Sequence, residues 1–280
     1  LQDQVRQFKF GAETGVDLPY EFDGRVPSNE LKLELKASGA IGEDESDTLT
    51  PGDLLQMAIG QGLMAASPLQ LAVGYAAIAN GGFALTPHVV QTIYAPEVPD
   101  GEPGFVDLAA ATVIETVAPQ AEQIPMPPSV RDPIVAGTQR NILGPGANNR
   151  STTAEELFKL GYNEVPGTIP IAGKTGTAQG FKNYPWNDSS AFAAFSLDPE
   201  RPYTVVSYLE KAGYGSLGAA PVVKCMFLAL GGQIPLDPVT ISEPLDVTSE
   251  VAAPPLPPID MGCMQSSDAD AALTRPAGGD

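Results

Sequence analysis

Gly173-Lys174-Thr175-Gly176-Thr177, continued by Ala178 and Gln179, is the segment whose residue types and spacing best suit chemistry. A lysine ammonium and two hydroxyls set this close together can surround an anionic carboxylate. Gly176, between the hydroxyls, lets a ligand approach the backbone closely. If the segment is a strand edge, one of its N–H groups can stabilise a developing oxyanion. Two other readings compete. A phosphate-binding loop needs four residues between its first glycine and Gly-Lys-Thr, and a helix afterwards. Here five residues separate Gly167 from Gly173, and Gly176 and Gly180 follow with no helix signal. A Gly-rich turn carrying a solvated lysine is the bland alternative, and the pentapeptide taken alone does not exclude it.

The other tempting residues read more simply. His88, which follows Pro87, is expected to be a half-exposed structural residue at a strand start. Glu43-Asp44-Glu45 and Glu155-Glu156 read as solvated faces or helix N-termini. Trp186 lies in a polar connection (KNYPWNDSS) and either borders a cleft or packs. Cys225 sits in an apolar run as a small core residue and Cys263 in a Pro-rich tail; nothing in their spacing supports a disulfide. One His and two scattered Cys give zinc no ligand set. A net charge of −19 repels phosphate backbones and anionic lipid headgroups, which argues against nucleic-acid binding. An anionic substrate would need a local cation to hold it.

The elements around the motif follow from caps and periodicity. Leu1 opens a helix-like stretch (LQDQVRQFKFG). Residues 12–30 read as extended loop, and 31–50 as polar and acidic without a clear period. Residues 53–66 are apolar but broken by Gly60 and Gly62. Ser67, Pro68 and Gln70 form a capping box with Pro at the first helical position. Leu71, Tyr75, Ile78 and Ala79 then recur at helical spacing as the expected core stripe, until Gly81-Gly82 stop the helix. Val89–Tyr94 reads as a strand, 95–105 as loop and 107–118 as a short helix. Several prolines bar residues 119–133 from forming one element. A helix is expected over Ile134–Leu143, and a second capping box at Thr152 and Glu155. Beyond these come three strands, the motif strand, Ala191–Leu197 and Tyr203–Leu209. A Gly-rich loop over 211–218 leads to a helix opened by Pro221 and closed by Gly231-Gly232. Short connections in that order imply an antiparallel meander covered by a helix. The Pro-rich, acidic residues after Gly232 are expected to stay disordered. No run of apolar residues is long enough to span a bilayer.

Three segments taken in order, TGVDLPYEFDGRVP (14–27), GQGLMAASPLQLAVGYAAIANGGFALTP (60–87) and GKTGTAQ (173–179), resemble the class B penicillin-binding proteins. GQG followed by SPLQLA and ANGG is most similar to their cell-elongation branch, penicillin-binding protein 2. The resemblance covers residues 1–232, with 233–280 as a tail. It implies an α+β fold of the serine β-lactamase and transpeptidase type, an antiparallel sheet flanked by helices and incomplete on its N-terminal side. It also implies a peptidoglycan D,D-transpeptidase that passes an acyl group from a serine ester to a neighbouring amine and is acylated by β-lactams. Lys174 would organise the site electrostatically, and Thr175 and Thr177 would offer hydroxyls to the substrate carboxylate. Gly176 would allow close approach, the Thr177 backbone N–H would be an oxyanion donor, and Gln179 would support. The implied partners are peptidoglycan stem peptides, β-lactams, a glycan polymerase and, through an upstream anchor, the membrane, with the domain on the extracytoplasmic side. No metal or cofactor is implied.

The family's nucleophile belongs to a Ser-x-x-Lys helix, with a second serine in Ser-x-Asn. No serine here has Lys three residues on; Ser207 has Lys211 four on, in an expected strand, and no Ser-x-Asn exists. In the family both motifs precede the TGVDLP region. The expectation is therefore a fragment that is inactive alone, has an incomplete core and folds poorly. A β-lactamase or β-lactam sensor of the same superfamily, and a non-catalytic wall-binding module, are the alternatives.

Overall fold

The computed structural model describes residues 1–95, 111–144, 154–180, 188–234 and Cys263. The chain divides into two compact units, Leu1–Arg131 and Asp132–Asp280.

In the first unit α1 (Gln2–Gln7) precedes a long extended segment. α2 (Asn29–Ala37) follows, N-capped by Ser28, whose side chain accepts the Leu31 N–H. This helix corrects the reading of residues 31–50 as lacking periodic structure. Its one buried side chain is Lys32, so its inner face does not register as apolar. Lys32 Nζ donates to Asp53 Oδ2 at 2.7 Å, and that bond holds the Asp53 carboxyl below its usual range. Asp53 also completes the Thr50 capping box that starts α3 (Pro51–Ala58).

α4 (Pro68–Ala79) begins as its sequence dictates, with the Ser67 and Gln70 capping box in place. Its buried face differs from the expected stripe. Gln70, Val73, Gly74 and Ala77 are buried, while Leu71, Tyr75, Ile78 and Ala79 are only partly so. The shift follows from Gln70, a polar residue whose amide points inward. Gln70 Nε2 donates to the carbonyls of Lys9, Ala12 and Asp23 at 2.8–3.0 Å, and Gln70 Oε1 accepts the Ser67 N–H. One amide thus ties the extended N-terminal segment to α4. Asp17, in the same segment, accepts the N–H groups of Val89 and Val90 at 2.7 and 2.9 Å, which lower its pKa. His88 is exposed, with Nδ1 2.9 Å from Val90 O.

Two small antiparallel pairs complete the unit. β1 (Phe83–Leu85) pairs with β4 (Ala121–Gln123), and β2 (Thr92–Tyr94) with β3 (Val113–Thr116). β3 corrects the helix expected over 107–118: its β-branched run Thr112-Val113-Ile114 favours extended backbone. Residues 96–110 lie outside the described set. α5 (Pro128–Leu143) starts six residues before the expected Ile134, with Pro133 inside it. Pro133 falls in the second turn and costs one ladder bond. Arg131 donates to the Ile78 and Ala79 carbonyls at 2.8 and 2.7 Å, satisfying the C-terminal end of α4.

The second unit carries the expected meander. α6 (Glu155–Phe158) runs into a π-turn (Lys159–Asn163). β5 (Ile171–Ala178), β6 (Ser189–Ser196) and β7 (Thr204–Leu209) form one antiparallel sheet in the order β5-β6-β7. α7 (Ala219–Leu230) packs on β6 and β7, and starts two residues before Pro221. Ile171, Phe192, Ala194 and Val205 join Val223 and Phe227 in the core between sheet and helix, beside Phe158 and Tyr162. The capping box expected at Thr152 is not tested, because Thr152 lies outside the described residues; Ala154 is the N-cap of α6, without a side-chain bond. Cys225 and Cys263 are joined by a disulfide, a pairing that their spacing did not point to. Spacing carried no signal for the bridge because folding, not sequence proximity, brings Cys263 against the core that α7 helps to build. Of the residues after Gly232, only Gln233, Ile234 and Cys263 are described.

Removing the Gln70 amide strands four backbone groups. Gln70→Ala is expected to destabilise the protein by about 3 kcal/mol, read as a lowered urea midpoint at unchanged m-value. A change within 0.5 kcal/mol, the ~0.5 kcal/mol scatter of surface substitutions, would show that the network carries no weight.

Candidate active site

β5 holds every residue of the motif. Its hydrogen-bond phase fixes which of them face outward. Leu197 N–H donates to Pro170 O at 2.7 Å, and Ile171 lies opposite Ser196. The bonded pairs are therefore Ala172–Phe195, Lys174–Ala193, Gly176–Ala191 and Ala178–Ser189. The N–H and C=O groups of Gly173, Thr175 and Thr177 then point away from β6, along the outer edge of the sheet. Asn141 supports this phase independently: its Nδ2 donates to Gly173 O at 3.1 Å from α5.

Lys174 is the charged group at that edge. Its side chain is exposed, and Nζ donates to Thr175 O at 2.8 Å and to Thr175 Oγ1 at 3.1 Å. Since Thr175 O lies on the outer edge, the ammonium sits there too. Desolvation by its surroundings lowers the Lys174 pKa from the ordinary lysine value of 10.5. Gln179 is exposed just past the end of the strand. Lys174, Thr175, Gly176 and Thr177 are thus brought together on one strand, with Gln179 beside them.

The inner side of this edge is fixed by the 211–218 loop. A Cβ on Gly215 would meet Gly176 O at 2.4 Å, Ala191 O at 2.5 Å and Gly176 N at 2.9 Å. Only a glycine lets the loop backbone lie on β5 and β6 this closely. Gly215 N–H lies 3.4 Å from Thr177 Oγ1, at the long limit of a hydrogen bond. Gly173 has a similar reason: a Cβ there would come within 2.8 Å of Ala194 Cβ. Ser190 Oγ donates to Tyr214 O at 3.0 Å and accepts the Ala219 N–H at 2.8 Å, pinning the loop and the start of α7 to β6. Gly215, Ser190 and Asn141 were not among the residues singled out from sequence. The Gly-rich loop was visible there, but not where it would land.

An ammonium, hydroxyls and an outward N–H on one edge suit a ligand with a carboxylate and a carbonyl that gains negative charge. Among the described residues no cluster of His, Cys, Asp or Glu could hold a metal. Glu45 stands 3.8 Å from the Lys32 ammonium, and Glu155 begins α6. Trp186 lies outside the described residues.

A family model described as "Penicillin binding protein transpeptidase domain" matches residues 1–227. The peptidoglycan D,D-transpeptidase MrdA of Acinetobacter baumannii is 33% identical over 179 residues, which are 64% of this chain and 21% of that protein. The solved structure of Pseudomonas aeruginosa PBP2 in complex with WCK 5153 is 28% identical with a TM-score of 0.56, over 81% of this chain and 41% of that one. A chain of a peptidoglycan synthase complex, solved for the coordination of polymerization and crosslinking, is 26% identical with a TM-score of 0.59, over 84% of this chain and 33% of that one. The chain therefore spans less than half of each of these relatives.

The depressed Lys174 pKa has a definite sign. Between the folded value and 10.5 the unfolded chain holds the proton more tightly, so folding becomes more favourable as pH rises through that window. Lys224, buried in α7, is lowered for the same reason and adds the same sign. Lys174→Met is expected to remove part of this rise and Lys224→Met another part, measured as stability against pH. A rise unchanged in Lys174→Met would mean that the lysine titrates normally. Gly215→Ala is expected to destabilise the second unit by about 1–3 kcal/mol through overpacking, read by thermal melting.

Proposed function

The chain belongs to the penicillin-binding protein transpeptidase domain family, and from that premise we propose that it forms the Lys-Thr-Gly half of a peptidoglycan D,D-transpeptidase active site. The observation that carries this reading is the outer edge of β5, where the Lys174 ammonium and the outward Thr177 N–H lie on one strand. A stem peptide ending in a carboxylate would lie along this edge. Lys174 and the hydroxyls of Thr175 and Thr177 would hold the carboxylate. The Thr177 N–H would donate to the scissile carbonyl oxygen as it becomes an oxyanion. Gly176 leaves the strand open to close approach, and Gln179 lies beside the peptide.

The serine that takes the acyl group is not among these 280 residues, since no Ser-x-x-Lys occurs. We assign it, with a Ser-x-Asn serine, to further chain of a longer protein, so this chain by itself is inactive. In the complete polypeptide the serine ester would pass to an amine of a neighbouring stem peptide, and β-lactams would acylate the same serine. Among the described residues no helix is long and apolar enough to cross a membrane, so an anchor would also lie elsewhere. The Cys225–Cys263 disulfide supports an oxidising, extracytoplasmic setting. The similarity to a chain of a peptidoglycan synthase complex supports a glycan polymerase as partner.

Two experiments test this. The coding sequence ahead of Leu1 is expected to encode, in frame, a membrane helix, Ser-x-x-Lys and Ser-x-Asn. Their absence favours the non-catalytic wall-binding reading. The complete polypeptide is expected to be labelled covalently by a fluorescent penicillin, and Lys174→Ala to slow that labelling by about 100-fold or more. Rapid release of hydrolysed antibiotic would make it a β-lactamase instead.

A further inference from the structure

Asp188 and the first two residues of β6 each hold a segment outside their own strand. Asp188, just before it, is 2% exposed. Its Oδ1 accepts the N–H of Gly180, just past the end of β5, at 2.8 Å. Its carbonyl accepts the Gly213 N–H at 2.9 Å. Ser189 Oγ lies 3.4 Å from the Lys211 N–H, and Ser190 Oγ binds Tyr214 O and Ala219 N–H. The loop over 211–218 is therefore hung from Asp188, Ser189 and Ser190. The end of β5 is hung from Asp188 as well.

The second carboxylate oxygen, Asp188 Oδ2, is buried with no hydrogen-bond partner. A buried polar atom left unpaired is costly, and native folds hold few of them. A serine or asparagine could offer Gly180 an acceptor without burying a charge. What the carboxylate adds is a stronger, charge-assisted bond to one backbone N–H. That bond sets where β5 ends relative to the loop, and the loop sets Gly215 on Gly176 beside Thr177.

We propose that Asp188 is a positioning residue for the oxyanion side of the site, clamping the end of β5 to the 211–218 loop so that the Thr177 N–H is held in its outward aim. Asp188 touches no reacting atom; it acts through Gly180 and Gly213 on the frame around Thr177. This rests on the transpeptidase reading, and its consequence is specific. A donor aimed at a developing charge matters more in the transition state than in the ground state. Loss of the clamp therefore slows acylation more than it weakens the binding that precedes it.

The test uses the complete polypeptide and benzylpenicillin, with the acylation rate constant and the dissociation constant of the preceding complex measured separately. Rates are referred to the folded fraction, and melting temperatures are recorded alongside. Asp188→Ala is expected to lower the acylation rate constant by about 10–100-fold with pre-acylation binding changed less than about threefold. Asp188→Asn keeps a neutral acceptor for Gly180 and is expected to recover part of the rate. Gly180→Pro deletes the donor at an exposed position and is expected to reproduce the loss, so it decides the matter if Asp188→Ala does not fold. Folded Asp188→Ala or Gly180→Pro protein that acylates at the unsubstituted rate overturns the proposal, even with a lowered melting temperature, because the residue is then structural only. If the unsubstituted polypeptide is not acylated at all, the transpeptidase reading fails instead.

Discussion

Among the described residues β5 shares its ladder with a strand on one side only, and the proposed chemistry depends on which groups that leaves on the other side. A one-residue change of phase would turn the Thr177 N–H toward β6 and present Gly176 and Ala178 outward. Several contacts hold the phase. Asn141 takes Gly173 O at the outer edge, the Leu197–Pro170 bond fixes the start of the hairpin, and Asp188 fixes its end. Ile171, Phe192, Ala194 and Val205 bury one face of the sheet beneath α7, so a slip would also expose the core.

Small residues make the arrangement possible. Gly173 and Gly176 flank the lysine and threonine, and each faces an alanine across the ladder, Ala194 and Ala191. Gly215 completes this tight seam from the loop side, closer than any side chain would allow. The cost is a strand of low intrinsic β-propensity. Burial under α7, the π-turn with Tyr162, and the disulfide from Cys225 to Cys263 offset it. Tyr162 itself is buried, with its hydroxyl donating to Ile169 O at 2.7 Å just ahead of β5, and burial raises its pKa.

Much of this was legible in the sequence where the signal is local. The Ser67-Pro68-Gln70 cap, the three strands and the helix after the Gly-rich loop each carry their pattern within a few residues. The motif alone left a Gly-rich turn open; its order after the 14–27 and 60–87 segments is what pointed to the family. β3 was missed although its β-branched run is local, but most of what was not legible depends on partners distant in sequence. α2 hides because its inward residue is Lys32, made tolerable by Asp53 twenty-one positions on. The buried face of α4 was misjudged because Gln70 serves the Lys9, Ala12 and Asp23 carbonyls as well as its own cap. Gly215 meets Thr177 across 38 positions, and Cys225 meets Cys263 across another 38. Periodicity has no access to such pairings.

The most direct measurement is a crystal structure of the complete polypeptide acylated by benzylpenicillin. The account predicts the acyl carbonyl oxygen within about 3 Å of the Thr177 backbone nitrogen, and the antibiotic carboxylate against Lys174 and the hydroxyls of Thr175 and Thr177. An acyl oxygen bound elsewhere, with the outer edge of β5 left to solvent, would contradict it.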